Sequence, residues 1–237
     1  ISATFSEDMN SSTITTSTFT LSSSSGSSVS GTVSYSNKTA TFTPSSNLSY
    51  STTYTATITI GVKDTTGNAM SSTYTWSFTT SLAPDITAPS GSVSGASYTN
   101  SSTVTLTLSA TDNVGVTGYY LSDSSTTPSV SASGWTSVTS TTSYSGTVSY
   151  SLSSGEGSKT IYAWYKDAAG NVSSTANATI TLDTTVPTVT ISSPTSSSTY
   201  TSTTSTISLG GSASDSTSGI GTVTWSNNRG GNGTATG

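Results

Sequence analysis

Ten carboxylates, set against five Lys or Arg and neither Cys nor His, carry almost all the chemistry available to this sequence. Without Cys or His there is no thiol nucleophile, disulfide, Cys/His zinc site, His-ligated haem or Ser-His-Asp triad. The many Ser hydroxyls have no base to activate them. Paired acids can hydrolyse glycosides, and Glu7 and Asp8 are adjacent, yet nothing around them marks a substrate groove. We therefore expect no catalysis and no cofactor beyond a metal ion. What remains is the chemistry of oxygen ligands. The acids recur beside amides, as Asp112-Asn113, as Lys63-Asp64-Thr65-Thr66-Gly67-Asn68 and as Lys166-Asp167-Ala168-Ala169-Gly170-Asn171. Hard cations such as Ca²⁺ take about six to eight oxygens from carboxylates, amides and carbonyls. The same sequences are also favoured turns, because Asp and Asn side chains bond nearby backbone and tolerate left-handed conformations. The residues alone leave both readings open.

The elements that would position these groups are strands. Ser and Thr make up nearly half of the 237 residues, and only 6% are charged, against about 25% in an average soluble domain. Polarity of this kind often accompanies disorder. Here the apolar residues alternate instead, as in Thr103-Val104-Thr105-Leu106-Thr107-Leu108, which is the pattern of a half-buried strand. Branched Thr suits a pleated surface. The expectation is Thr-rich β-structure joined by Ser-rich loops. An internal repeat sets its scale. Asp112 and Asp215 are 103 residues apart, as are the two Lys-Asp-x-x-Gly-Asn segments. The linkers Asp85-Ile86-Thr87-Ala88-Pro89 and Asp183-Thr184-Thr185-Val186-Pro187 also correspond. A period of roughly 100 residues with seven or so short strands is the size of an immunoglobulin-type sandwich.

The expected fold class is all-β, with tandem immunoglobulin-like β-sandwich domains over 1–83, 84–184 and 185–237. In the first, strands fall near 1–5, 17–21, 29–35, 38–43, 52–60 and 72–80, with a leading strand apparently missing. In the second they fall at 90–96, 102–110, 116–122, 146–152, 159–165 and 175–182. Between them, 123–145 reads as a Ser-rich excursion anchored by Trp135. The third is about half a domain, too little to bury a core of its own. Strand alternation then groups the acids by pole. Asp85, Asp112, Asn113, Asp167 and Asn171 share one pole of the second domain. Glu7, Asp8, Asp64 and Asn68 share the equivalent pole of the first. Asp183 and Asp215, with Glu156 nearby, belong to the following junction. Each group is a candidate calcium site. Tyr162 and Trp164 are expected in the core, with Tyr120 and Tyr165 facing outward. Lys159 and Asn177 lie on neighbouring strands, but no acid is placed to assist an isopeptide bond.

Several segments resemble known families. Ile1-Ser2-Ala3-Thr4-Phe5-Ser6-Glu7-Asp8-Met9, Tyr54-Thr55-Ala56-Thr57-Ile58, the Lys63–Asn68 segment and Trp76-Ser77-Phe78-Thr79-Thr80 resemble the bacterial Ig-like domain of surface-layer and secreted proteins. Ala110-Thr111-Asp112-Asn113-Val114-Gly115-Val116, with the Lys166–Asn171 segment, resembles Ig-like repeats of large bacterial surface proteins and adhesins. The resemblance covers nearly the whole chain and implies an extracellular or cell-surface, non-catalytic role. Such modules serve many ends, so it specifies fold better than function.

Composition narrows the partners. Five scattered bases and a net charge of −5 do not supply the clustered cations that displace counterions from nucleic acid. No apolar run reaches the roughly 20 residues of a membrane span. A chain that begins at Ile1 is expected to be processed or part of something longer. The leading expectation is a structural component of an extracellular filament or cell-surface stalk, its partners being copies of itself or neighbouring domains. Incomplete end domains could accept a neighbour's strand; simple truncation is the plainer account. The alternatives are an adhesin that binds a glycan or protein ligand, and a spacer in a larger secreted enzyme.

Overall fold

A computed structural model describes residues 1–227 and 230–236. The chain divides into two compact units, Ile1–Pro84 and Asp85–Gly237. Among the described residues both are built of antiparallel strands, with one short 3-10 turn at Ser11–Thr13 and one short parallel pairing in the second unit.

In the first unit, β1 (Ser2–Thr4), β4 (Thr39–Pro44) and β3 (Gly31–Ser36) form one sheet in that order. The other sheet is β2 (Phe19–Ser23), β5 (Thr53–Ile58) and β6 (Tyr74–Thr79). Period-two alternation fixes which side chains meet. Phe19 and Leu21 of β2 stand opposite Ile58 and Ala56 of β5, and all four are buried. Across the gap, Phe19 packs on Phe42 of β4 with ring centroids 5.8 Å apart. Burying each such side chain contributes about 1.5–3 kcal/mol, so this layer of aromatics and aliphatics closes the sandwich. The β3–β4 hairpin turns through Asn37 and Lys38, both at positive φ, the geometry that matches the twist of flanking strands.

The second unit begins with β7 (Ser90–Ser94) and the two-residue β8 (Tyr98–Thr99). β7 falls within the strand expected over 90–96, and β8 is a further short strand beyond it. β7 pairs antiparallel with β9, and β8 crosses to pair in parallel with β12. β9 (Thr103–Ser122) also replaces two expected strands with one of 20 residues. Its first half pairs with β7 and with the second half of β10 (Thr136–Ser151). Its second half pairs with β11 (Gly157–Asp167) and with the start of β10. β12 (Ala176–Leu182) completes this sheet beside β11. Register shifts in β10, between Ser137 and Ser143, fall opposite residues 111–118 of β9, and such irregularities bend a strand and increase its twist. The supposed excursion 123–145 is therefore loop only to Trp135; its remainder extends β10.

The core of this unit is Leu106, Leu108, Val116, Ile161, Ala163, Tyr165 and Ile180, all buried. The expected facing of β11 is corrected here. Tyr165, not Tyr162, lies on the core face with Ile161 and Ala163, as alternation requires once those two are inside. Trp164 is also buried, but against Tyr162 and Tyr120 on the other face. Trp135 packs edge-on against Tyr120 there, and its indole N–H donates to Ser129 O at 2.9 Å.

Beyond Leu182 two small ladders follow, β13 (Thr188–Ser193) with β14 (Gly210–Ser214) and β15 (Thr224–Ser226) with β16 (Asn232–Thr234). Among the described residues there, none is fully buried, and Val189, Ile191, Leu209 and Trp225 are exposed.

Candidate functional site

The two Lys-Asp-x-x-Gly-Asn segments fold into the same turn. Gly67 and Gly170 take positive φ, +97° and +95°, where a side chain would be strained. Asp64 Oδ1 accepts from the backbone N–H of Thr66 and Asn68, both at 2.8 Å, and Asn68 Nδ2 donates to its Oδ2 at 2.7 Å. Asp167 Oδ1 accepts from Gly170 at 2.7 Å and Asn171 at 2.8 Å, and Asn171 Nδ2 donates to its Oδ2 at 2.6 Å. The side-chain donation from Asn68, with the backbone donors, lowers the Asp64 carboxyl to about 2. Each Asp is thus an anchor of its own turn.

The turns differ in what surrounds them. In the second unit, the strand-to-strand crossing of β9 carries Asp112, the end of β11 carries Asp167, and the segment entering β7 carries Asp85. Their carboxylates offer oxygens within 4.8 Å of one another. Asp112 and Asp167 are 9% and 3% exposed. Asn113 Nδ2 donates to Asp85 Oδ1 and Asn171 Nδ2 to the Asp85 carbonyl, each at 3.2 Å. All five residues grouped by strand direction at this pole therefore meet. Asp112 Oδ2 accepts from Val114 N at 2.9 Å and Gly115 N at 2.7 Å, while its Oδ1 is buried without a partner. Asp85 Oδ2 is buried and unpartnered as well. At this separation and an effective dielectric of about 20, like charges repel by roughly 3 to 4 kcal/mol per pair. The nearest base in sequence, Lys166, points elsewhere, donating to Val130 O at 3.1 Å with its Nζ 4.8 Å from the Trp135 ring centroid.

The other groups are arranged differently. Among the described residues, Asp85, Asp112 and Asp167 are the one set of three acids placed to share an ion. In the first unit Asp8 meets the Asp64 turn through its backbone, accepting from Thr65 N at 3.3 Å, and its side chain and that of Glu7 are exposed. Asp183 Oδ1 accepts from Thr185 N at 3.0 Å, and Glu156 Oε2 from Thr184 N at 2.9 Å. Asp215 Oδ1 accepts from Thr217 and Ser218 N, both at 3.0 Å, which holds its carboxyl below the usual range. Lys159 Nζ donates to Ser154 O at 2.9 Å, and Asn177 stands opposite Tyr162, so the two are not partners.

Sequence reasoning did not find a groove of 430 Å³ in the first unit, lined by Phe5, Ile58, Met70, Tyr74 and Trp76 beside β1. Its aromatic signal was present in Tyr74-Thr75-Trp76, but β6 as an edge strand was not.

Fold and turn motif together define an immunoglobulin-like β-sandwich protein. Sequence comparison takes this one step further: residues 1–80 match the bacterial Ig-like domain family and residues 187–237 a bacterial Ig domain family. The chain carries bacterial Ig-like domains, a class that is generally non-catalytic and typical of extracellular or surface proteins. No curated protein matches it significantly in sequence. Among solved structures it is similar to native alpha-2-macroglobulin from Escherichia coli spanning domains MG0-NIE-MG1, at 15% identity and a TM-score of 0.29, covering 80% of this chain and 68% of that one. A cryo-EM reconstruction of native E. coli alpha-2-macroglobulin gives 14% identity and a TM-score of 0.30, covering 77% of this chain but only 13% of that one. Fibronectin(III)-like modules of Clostridium thermocellum CbhA give 10% identity and a TM-score of 0.28, covering 76% and 82%. Likeness at this level says nothing about function. No described helix is long and apolar enough to cross a membrane.

Proposed function

We propose that the chain is a structural, non-catalytic component of an extracellular filament or cell-surface stalk, built from Ig-like modules over 1–83, 84–184 and 185–237. The observation that carries this reading is the chemistry of its strand surfaces. Hydroxyl pairs bridge neighbouring strands on the solvent side. Thr53–Thr79 and Thr55–Ser77 lie at 2.8 Å in the first unit, Ser92–Ser109 at 2.9 Å in the second, and Thr188–Ser214 and Thr190–Ser212 at 2.8 Å beyond it. They give a neutral, hydrogen-bonded surface where most soluble domains carry charge. With only 6% charged residues, repulsion between neighbouring copies is weak. That favours close lateral or axial stacking, with other copies or adjoining domains as partners.

Negative-stain electron microscopy of the native secreted material tests this. Long filaments with a regular axial repeat are expected. Short separate rods of a few beads would overturn the filament and point to an adhesin stalk or to a spacer in a larger enzyme. The adhesin reading has one observation of its own, the Tyr74–Trp76 groove, where an exposed Tyr74 beside a half-buried Trp76 offers ring faces to a glycan. A glycan array with the Trp76→Ala variant as control separates that alternative.

A further inference from the structure

We propose that Asp85, Asp112 and Asp167 form a calcium site that fastens the start of the second unit to its own sandwich. Oxygens within 4.8 Å of one another fit around an ion bound at about 2.3–2.6 Å, whose ligands lie at most about 5 Å apart. Proximity of acids alone would be explained by turn chemistry. The independent observation is what the turns leave over. Asp112 is 9% exposed, commits Oδ2 to the amides of Val114 and Gly115, and keeps Oδ1 buried without a partner. Asp85 does the same with Oδ2, while its Oδ1 accepts from Thr87 N at 3.1 Å and from Asn113. A carboxylate oxygen removed from water and given no donor has lost its solvation without compensation. Both residues belong with Asp167 to one cluster of carboxylates within 4.8 Å, and Lys166 is turned away to Val130 and Trp135. A bound cation supplies the missing partner to both at once.

The donor set names the class of ion. It is all oxygen, which selects a hard cation over zinc or copper. Asn113 and Asn171 donate through Nδ2 to Asp85 and so brace its carboxylate and carbonyl, and water can complete the sphere. The acids come from three separate segments, a flexible arrangement that suits Ca²⁺. Mg²⁺ demands near-ideal octahedral geometry at about 2.0–2.1 Å and gives up its waters reluctantly. Because the ion joins the entering segment, the crossing of β9 and the end of β11, it stabilises the folded unit by mass action. This inference does not rest on the filament reading, since binding is measured on the separate chain whatever it assembles into.

The test is isothermal titration of the chelator-treated 237-residue chain with CaCl₂, and separately with MgCl₂, paired with scanning calorimetry. One Ca²⁺ per chain is expected, with a Tm rise of about 10 °C for the second unit at a hundredfold excess over Kd. The transition of the first unit should stay in place. Asp112→Asn keeps an acceptor for Val114 and Gly115 but removes a charge. It should lose at least tenfold in affinity, and without calcium it should be no less stable than the parent. A purely structural Asp112 would instead lower stability without calcium and leave no calcium response to lose. If that variant fails to fold, Asp85→Asn, at a half-buried position, serves the same purpose, with Asp183→Asn as the control outside the cluster. Absence of both heat and Tm shift up to about 10 mM CaCl₂, the weak end of extracellular calcium modules within an order of magnitude, would overturn the site. An equal response to MgCl₂ would overturn its assignment to calcium. Either failure leaves the filament reading to stand or fall by microscopy.

Discussion

The phenol of Tyr165, at the end of β11, crosses the core of the second unit and donates to the backbone carbonyl of Ser92 in β7. The two strands share no ladder with each other and are joined through β9, so this bond and the ring add a direct tie between them. Gly91 makes room for it, since a Cβ there would stand 2.4 Å from a Tyr165 ring carbon and 2.7 Å from Ser109 O.

Tyr165→Phe keeps the packing and deletes the donor, leaving the Ser92 carbonyl without it. The expected cost is about 1–2 kcal/mol, read as a lower urea midpoint at unchanged m-value. Gly91→Ala should cost more, about 2–3 kcal/mol, because backbone as well as ring must move. An alanine variant as stable as the parent would mean that β7 is not held where this contact places it.

Alkaline pH probes the same residue. Burial pushes the Tyr165 phenol up from 10.0 to about 12. The folded state therefore holds this proton more tightly than the unfolded one. The resulting stability is full below pH 10 and is lost as pH rises towards 12. Denaturation midpoints of the second unit should fall across that window, and Tyr165→Phe should flatten the fall. The difference in phenolate absorbance near 295 nm between the parent and Tyr165→Phe provides the site check.

Acid pH probes the first unit with the opposite sign. Asp64 is held down at about 2, against 3.8 for an ordinary Asp, chiefly by Asn68. Its contribution is complete above the unfolded value and disappears as pH falls through about 2. Asn68→Ala should lower the Tm of this unit at pH 7 and shrink the difference between pH 5 and pH 2. An unchanged acid profile would remove Asp64 from the account of that turn.

Trp135 covers Tyr120, which in turn packs on Trp164. Trp135→Ala should destabilise the second unit by about 2 kcal/mol, less than the 3–5 of a fully buried aromatic because Trp135 is only half-buried. Exposing the Trp164 indole should also shift its fluorescence to the red. Unshifted emission would show that the 123–135 segment does not shield it.

Much of this fold is local, and so it was legible. Alternating Thr and aliphatic residues carry the phase of β2, β5 and the first half of β9, because one buried face leaves a period of two in the chain. The Asp-x-x-Gly-Asn turn was legible too, since Gly67 and Gly170 take the backbone geometry that glycine allows, and the Asp and Asn of each turn bond within five residues. The sequence by itself therefore determined an all-β chain of repeated Ig-like modules with acid-anchored turns. Tertiary structure alone decided which side of β11 is inside. Aromatics occupy both faces of that strand, so alternation gives no phase. The outer face is buried only because a distant segment, ending at Trp135, folds back over it. The continuity of β9 was hidden for a related reason: Asp112-Asn113 reads as a turn locally, yet β9 is paired on either side of it, with β7 and β10 up to Thr111 and with β10 and β11 from Val116. The cation site shows the same division. Both units possess the turn, but only the second receives Asp85 and Asp112 beside it. Strand alternation had grouped these residues at one pole, but only the fold brings carboxylate oxygens of Asp85, Asp112 and Asp167 within 4.8 Å while leaving Glu7 and Asp8 exposed.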